Sequence, residues 1–176
     1  MSGHTYKIKK SLLVPLGIDV LLFLLLLIIS LFFKGSLTEQ VVLFVIFVPL
    51  TLAFFEALSR EVSMGDKGIV IRKFTRRKEL SWGDITHVGI VIIRKKVYLL
   101  LTTLKGFYFI SNTYESFYEL VRHIIEHVGP EKVEEDVHTQ MEHPIRSISD
   151  IVSSWFAAVV ILVIIVMKFS QFNLIF

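Results

Sequence analysis

Three long apolar runs and one stretch of short alternating runs divide this chain. Ser11 to Phe33 is 23 residues with Asp19 as its only charge, reaching roughly 34 Å as a helix, enough to cross a bilayer with some tilt. Val41 to Leu58 is a second run, interrupted by Pro49 and carrying Glu56 near its end, and Ile151 to Met167 is a third with no charge. The short polar segment from Lys34 to Gln40 makes the first two runs antiparallel neighbours, a helical hairpin. The spacing therefore predicts three spanning helices, at 11–33, 41–58 and 151–169.

After Arg60 the period changes from helical to alternating. Short runs rich in Val, Ile, Leu, Tyr and Phe predict antiparallel strands at about 61–64, 69–74, 78–81, 86–93, 97–103 and 107–111. The turns between them have suitable chemistry: glycines in Gly65-Asp66-Lys67-Gly68, a charged reversal at Arg94-Lys95-Lys96, and Lys105-Gly106. Asn112 to Glu115 reads as a capping box that opens a helix. Phe117, Leu120, Val121, Ile124, Ile125 and Val128 give that helix one apolar face, and Gly129-Pro130 ends it. The helix is expected to cover an open face or end of the sheet.

Composition sharpens this outline. The chain is 53% hydrophobic, too apolar for an ordinary soluble domain, and what remains outside the three runs suffices for one small domain. The absence of cysteine excludes disulfides and thiolate metal sites. The Lys-rich N-terminus followed by an apolar run looks like a signal peptide, but the run is too long and lacks a small-residue cleavage site, so it reads as an uncleaved anchor.

Charge then supplies a direction. Seventeen of the 19 Lys and Arg residues fall before Ser11 or between Arg60 and Arg146, leaving Lys34 and Lys168. By the positive-inside bias, residues 1–10 and the domain at 60–128 should be cytoplasmic, with the hairpin tip and C-terminus on the far side of an inner membrane. The segment 129–150 carries six acidic side chains against two basic ones and reads as an acidic linker. In a meander, alternate turns share an end. The basic turns holding Arg76, Arg77 and Lys78 and holding Arg94, Lys95 and Lys96 should thus lie together, facing the leaflet from which the first strand emerges.

The Gly65–Gly68 hairpin, the segment Leu80-Ser81-Trp82-Gly83-Asp84-Ile85, two long apolar strands and one amphipathic helix beginning Asn112-Thr113-Tyr114 resemble the bacterial pleckstrin-homology-like domain. That family commonly carries transmembrane helices. The resemblance covers about Arg60 to Val128 and departs in strand number, six where the family usually has seven. It implies an α+β membrane protein: three transmembrane helices around a small antiparallel barrel or sandwich with one capping helix, used as a binding platform and not for catalysis.

Seven positions stand out as site candidates. The six basic turn residues could be solvated hairpin tips that only bias topology, a surface for anionic lipid headgroups, or a dock for an acidic protein surface. Asp19 either lies deep in the first span, needing a partner, or close to the interface if the helix begins near Pro15. Trp82 reads as packing at a sheet end. His123 and His127 have the spacing to share a metal but no third ligand, so no metal or cofactor is expected. No nucleophile elbow, Walker loop, paired-carboxylate site or zinc-protease helix occurs, and no aromatic-basic platform for nucleic acid. The expectation is a non-enzymatic accessory or scaffold subunit that contacts other membrane proteins, or else an anionic-lipid-binding or lipid-handling protein.

Overall fold

A computed structural model describes residues 4–33, 35–94, 96–143 and 149–173. The chain forms two compact units, Met1–Lys9 with Ser59–Ser147, and Lys10–Leu58 with Ile148–Phe176. The molecule is α+β, with two antiparallel sheets and three helices long and apolar enough to cross a membrane.

In the first unit a four-stranded sheet has the order β1 (His4–Lys7), β2 (Glu61–Gly65), β3 (Gly68–Lys73) and β4 (Arg76–Ser81). The second sheet joins β5 (Ile85–Ile93), β6 (Lys96–Thr103) and β7 (Gly106–Ser111). The six strands from β2 onward lie where alternation places them. The seventh, β1, precedes the first apolar helix, in residues 1–10, where alternation predicts no element. Four residues ahead of a long apolar run have too short a period to register as a strand. β1 exists because β2 offers it an edge, pairing Lys7 with Glu61, Tyr6 with Val62 and His4 with Met64.

Alternation puts Val62, Ile69, Ile71 and Leu80 of the first sheet, and Val88, Val97, Leu99, Leu101 and Ile110 of the second, into the core. Helix α3 (Phe117–Val128) buries Phe117, Leu120, Val121, Ile124 and Val128. It starts later than the Asn112 capping box suggests. Residues 112–115 are instead spent on tertiary pairing: Asn112 N–H donates to Val97 O, Lys9 N–H to Thr113 O and Glu115 N–H to Lys7 O. Ser116, at φ 48°, then turns the chain into the helix, and Gly129, at φ 93°, ends it.

Within the expected acidic linker, residues 130–143 pack in this unit. Glu134 N–H donates to Val88 O, and Val133 bridges Val88 in parallel, extending the sheet beyond β5. Helix α4 (Glu135–Glu142) buries Val137. Gly89 in mid-strand is explained here, since a Cβ would stand 2.5 Å from the Glu134 carboxylate. The same carboxylate is 2.6 Å from His87 Nε2.

The second unit holds α1 (Lys10–Phe32), α2 (Leu37–Ser59) and α5 (Ser149–Asn173). Although α1 and α2 share the short connection of a hairpin, the tight pair is α1 with α5. Asp19 meets Ser154, Leu26 and Ile29 cluster with Ile161 and Ile165, and Phe33 meets Phe169. Partners advance together along both helices, so α1 and α5 run parallel. No residue of α2 is buried; it touches the pair through Leu43 and through Phe54, whose ring sits 3.2 Å from where a Cβ on Gly17 would be.

Because Tyr6 is buried in β1, Tyr6→Ala should destabilise the first unit by about 3 kcal/mol, as for other large aromatic truncations. The check is limited proteolysis of the full chain in mild detergent. Faster cleavage within 61–143, with the apolar helices unaffected, is the expected result.

Candidate functional site

The register assigns the basic turns to one end of the first unit. In the first sheet, Lys7, Glu61 and Arg72 lie side by side, and Lys73 faces Arg76 across the β3–β4 turn. In the second, Ile93 faces Lys96 across the β5–β6 turn and Tyr98 faces Ser111. Residues 112–115, which follow Ser111, are hydrogen-bonded to Val97 on one side and to Lys7 and Lys9 on the other. These bonds join the two ends into one rim. At the opposite end Trp82 fastens the end of β4 to the β2–β3 turn of the same sheet, its backbone N–H and its indole Nε1 donating to Lys67 O and Gly65 O.

Arg76, Arg77 and Lys78 start β4 on exposed backbone, Arg94 sits exposed at φ 47°, and Lys96 opens β6 half-buried. Lys95 lies outside the described residues. Arg77 forms an exposed ion pair of 2.7 Å with Glu79, a contact worth little in water. The rim also gathers Lys7, Arg72 and Lys73, all exposed, which turn spacing alone did not reveal. Lys7 joins only because β1 is a strand.

Asp19 is packed between helices. Helix α1 begins at Lys10 and runs through Pro15, and Asp19 is only 4% exposed. Ser154 Oγ donates to its Oδ2 at 2.7 Å, while Oδ1 has no hydrogen-bond partner. A second polar group joins the three helices at their other end. Ser30 Oγ donates to Glu39 Oε1 at 2.9 Å, and Lys168 Nζ donates to the same carboxylate oxygen. Three-residue patterns cannot predict such a group, because its members come from three separate runs.

The histidines go to different partners. His123 Nδ1 lies 2.7 Å from Tyr6 Oη, and His127 Nδ1 lies 2.8 Å from His123 O while its ring stacks on Trp82 at 4.5 Å. Among the described residues no three metal-ligating side chains come together. Beside His123 a polar cleft of about 590 Å³ runs between β1 and α3, with Lys7 and Arg122 set against Glu115 and Glu119. Burial, and then the charge of Glu119, push the Tyr6 hydroxyl above its ordinary value.

The outer face of the second sheet is apolar where α4 does not cover it. Gly89, Leu100 and Phe109 form one cross-strand row and Thr102 with Phe107 the next, and Phe107 and Phe109 are 67% and 53% exposed. β7 is the outer strand of this sheet. Comparison with known proteins finds no matching family model, no matching curated protein and no matching solved structure.

Two measurements follow from these contacts. Ser154→Ala strands the Asp19 carboxyl, whereas Asp19→Leu combined with Ser154→Ala removes both polar groups. The single variant should lose about 1–2 kcal/mol of thermal stability in detergent and the double variant should regain most of it. Tyr6 holds its proton more tightly folded than unfolded, so its contribution is complete below pH about 10 and is lost as pH rises through the folded value. Tyr6→Phe should therefore flatten the fall in stability above that pH, as read by unfolding curves at stepped alkaline pH.

Proposed function

We propose that this chain is a non-enzymatic, membrane-anchored binding module of pleckstrin-homology-like build, acting as an accessory or scaffold subunit of a larger membrane complex. The observation that carries this reading is the outer face of the second sheet, where Phe107 and Phe109 of the outer strand β7 stand exposed beside the half-buried Leu100. A water-facing sheet normally alternates apolar-in and polar-out; apolar residues on both faces mark a surface meant to be covered. Seven strands followed directly by the amphipathic helix α3 support the pleckstrin-homology-like build, with β1 supplying the strand the sequence resemblance lacked.

The proposed sidedness is the one the basic residues suggest, with the first unit in the cytoplasm. The order β1, α1, α2, β2 agrees with it, because β1 can pair with β2 only if the intervening helices return the chain to the side it left. Parallel α1 and α5 then carry the C-terminus to the far side. On α2, the absence of buried residues leaves the face turned away from Leu43 and Phe54 for lateral partners.

A second reading, contact with anionic lipid, is favoured by the basic rim. Near an anionic leaflet each Lys or Arg is worth about 1 kcal/mol, weakened by salt. The rim brings such side chains together from four strands.

The scaffold reading is tested with the full chain, since a fragment starting at residue 60 would lack β1. Phe107→Asp with Phe109→Asp changes two exposed side chains. In mild-detergent purification the native chain should bring down a defined set of membrane proteins and the double variant should lose them while still folding. Retention of the same set by the variant would remove the outer sheet face as the docking surface.

A further inference from the structure

The basic rim is not uniformly polar. Phe74, at the tip of the β3–β4 hairpin, is 56% exposed, and Ile92 and Ile93, at the end of β5 beside the β5–β6 tip, are 50% and 56% exposed. Each apolar tip is flanked by cations, Lys73, Arg76 and Arg77 at one and Arg94 and Lys96 at the other. Ile92 has core parity, pairing with buried Val97, yet is itself half exposed. Large apolar side chains at two separate hairpin tips on the same end, each collared by positive charge, have no use in water and would weaken a purely ionic contact.

We propose that the two tips enter the interface of an anionic bilayer leaflet, with Phe74 and Ile92–Ile93 below the headgroups and the flanking Lys and Arg side chains at phosphate level. Long basic side chains suit this geometry because their stems lie along apolar surface while their heads stay at the polar boundary. Aromatic and aliphatic side chains beside a basic face are the general pattern of interfacial attachment. The opposite end also exposes an apolar residue, Leu104, but with only Lys105 beside it, so charge complementarity selects the rim. The inference rests on the lipid-contact reading of that rim and adds insertion to it.

The chain has no cysteine, so single spin labels can be placed on the full protein through Phe74→Cys, Ile93→Cys and, as a control at the other end, Leu104→Cys. Each is measured in nanodiscs of phosphatidylcholine with and without phosphatidylglycerol, using a soluble nickel chelate and nickel chelated on lipid headgroups as relaxing agents. Insertion predicts that labels at 74 and 93 are relaxed by headgroup nickel and shielded several-fold from soluble nickel, more strongly with phosphatidylglycerol, while the label at 104 stays accessible to soluble nickel. Relaxation by headgroup nickel with full access to soluble nickel would overturn insertion and leave surface contact standing. No effect of headgroup nickel would overturn both, including the case in which the labels are shielded by protein.

Discussion

Everything in the first unit depends on the pairing of β1 with β2. β1 lies before α1 and β2 follows α2, so two long apolar helices are inserted in what is otherwise a tight antiparallel hairpin. The pairing fixes Lys7 opposite Glu61, places Tyr6 against α3 at His123, and lets Lys7 and Lys9 receive the segment after β7. Without β1, the edge of β2 and the near side of α3 would both be uncovered. The rim also depends on it, because residues 7–9 are the seam between the two sheets.

The second unit solves a different problem. If the three helices stand in lipid, as proposed, association brings no hydrophobic gain, and packing and polar contacts decide which pair. Here the polar contacts sit at two levels, Asp19 with Ser154 and the Ser30, Glu39 and Lys168 group. Leu26, Ile29, Ile161 and Ile165 pack between them. The sequence neighbour α2 is joined by its connection and by separate contacts at Glu39, Leu43 and Phe54, while α5, distant in sequence, takes the continuous contact.

What could be read in advance follows the range of the forces involved. Alternation in Ile69 to Ile71 and Val97 to Thr103 locates strands to within a residue or two, because the signal is local. The end of α3 at Gly129 was equally plain. His4–Lys7 escaped because its strand character comes from the edge of β2. Asn112 and Glu115 misled because a capping pattern competes with tertiary hydrogen bonds to Val97 and Lys7, and the latter won. The stretch 129–150 reads as an acidic linker whose order the sequence leaves open; within it Val133 pairs with Val88 of β5 and Val137 is buried. Of the site, the shared end of the basic turns was visible in strand parity. Its apolar tips were not, because the sequence does not tell where the core stops covering β5.

The parallel contact between the first helix and the last has a consequence for unfinished copies of the chain. Synthesis delivers α1 first and Ser154 and Lys168 near the end, so until then Asp19 and Glu39 lack partners that the complete molecule gives them. A chain stopped before α5 would leave the Asp19 carboxyl on an uncovered apolar helix face. Truncated or stalled copies thus differ chemically from finished ones at Asp19, whose carboxyl the complete molecule buries against Ser154.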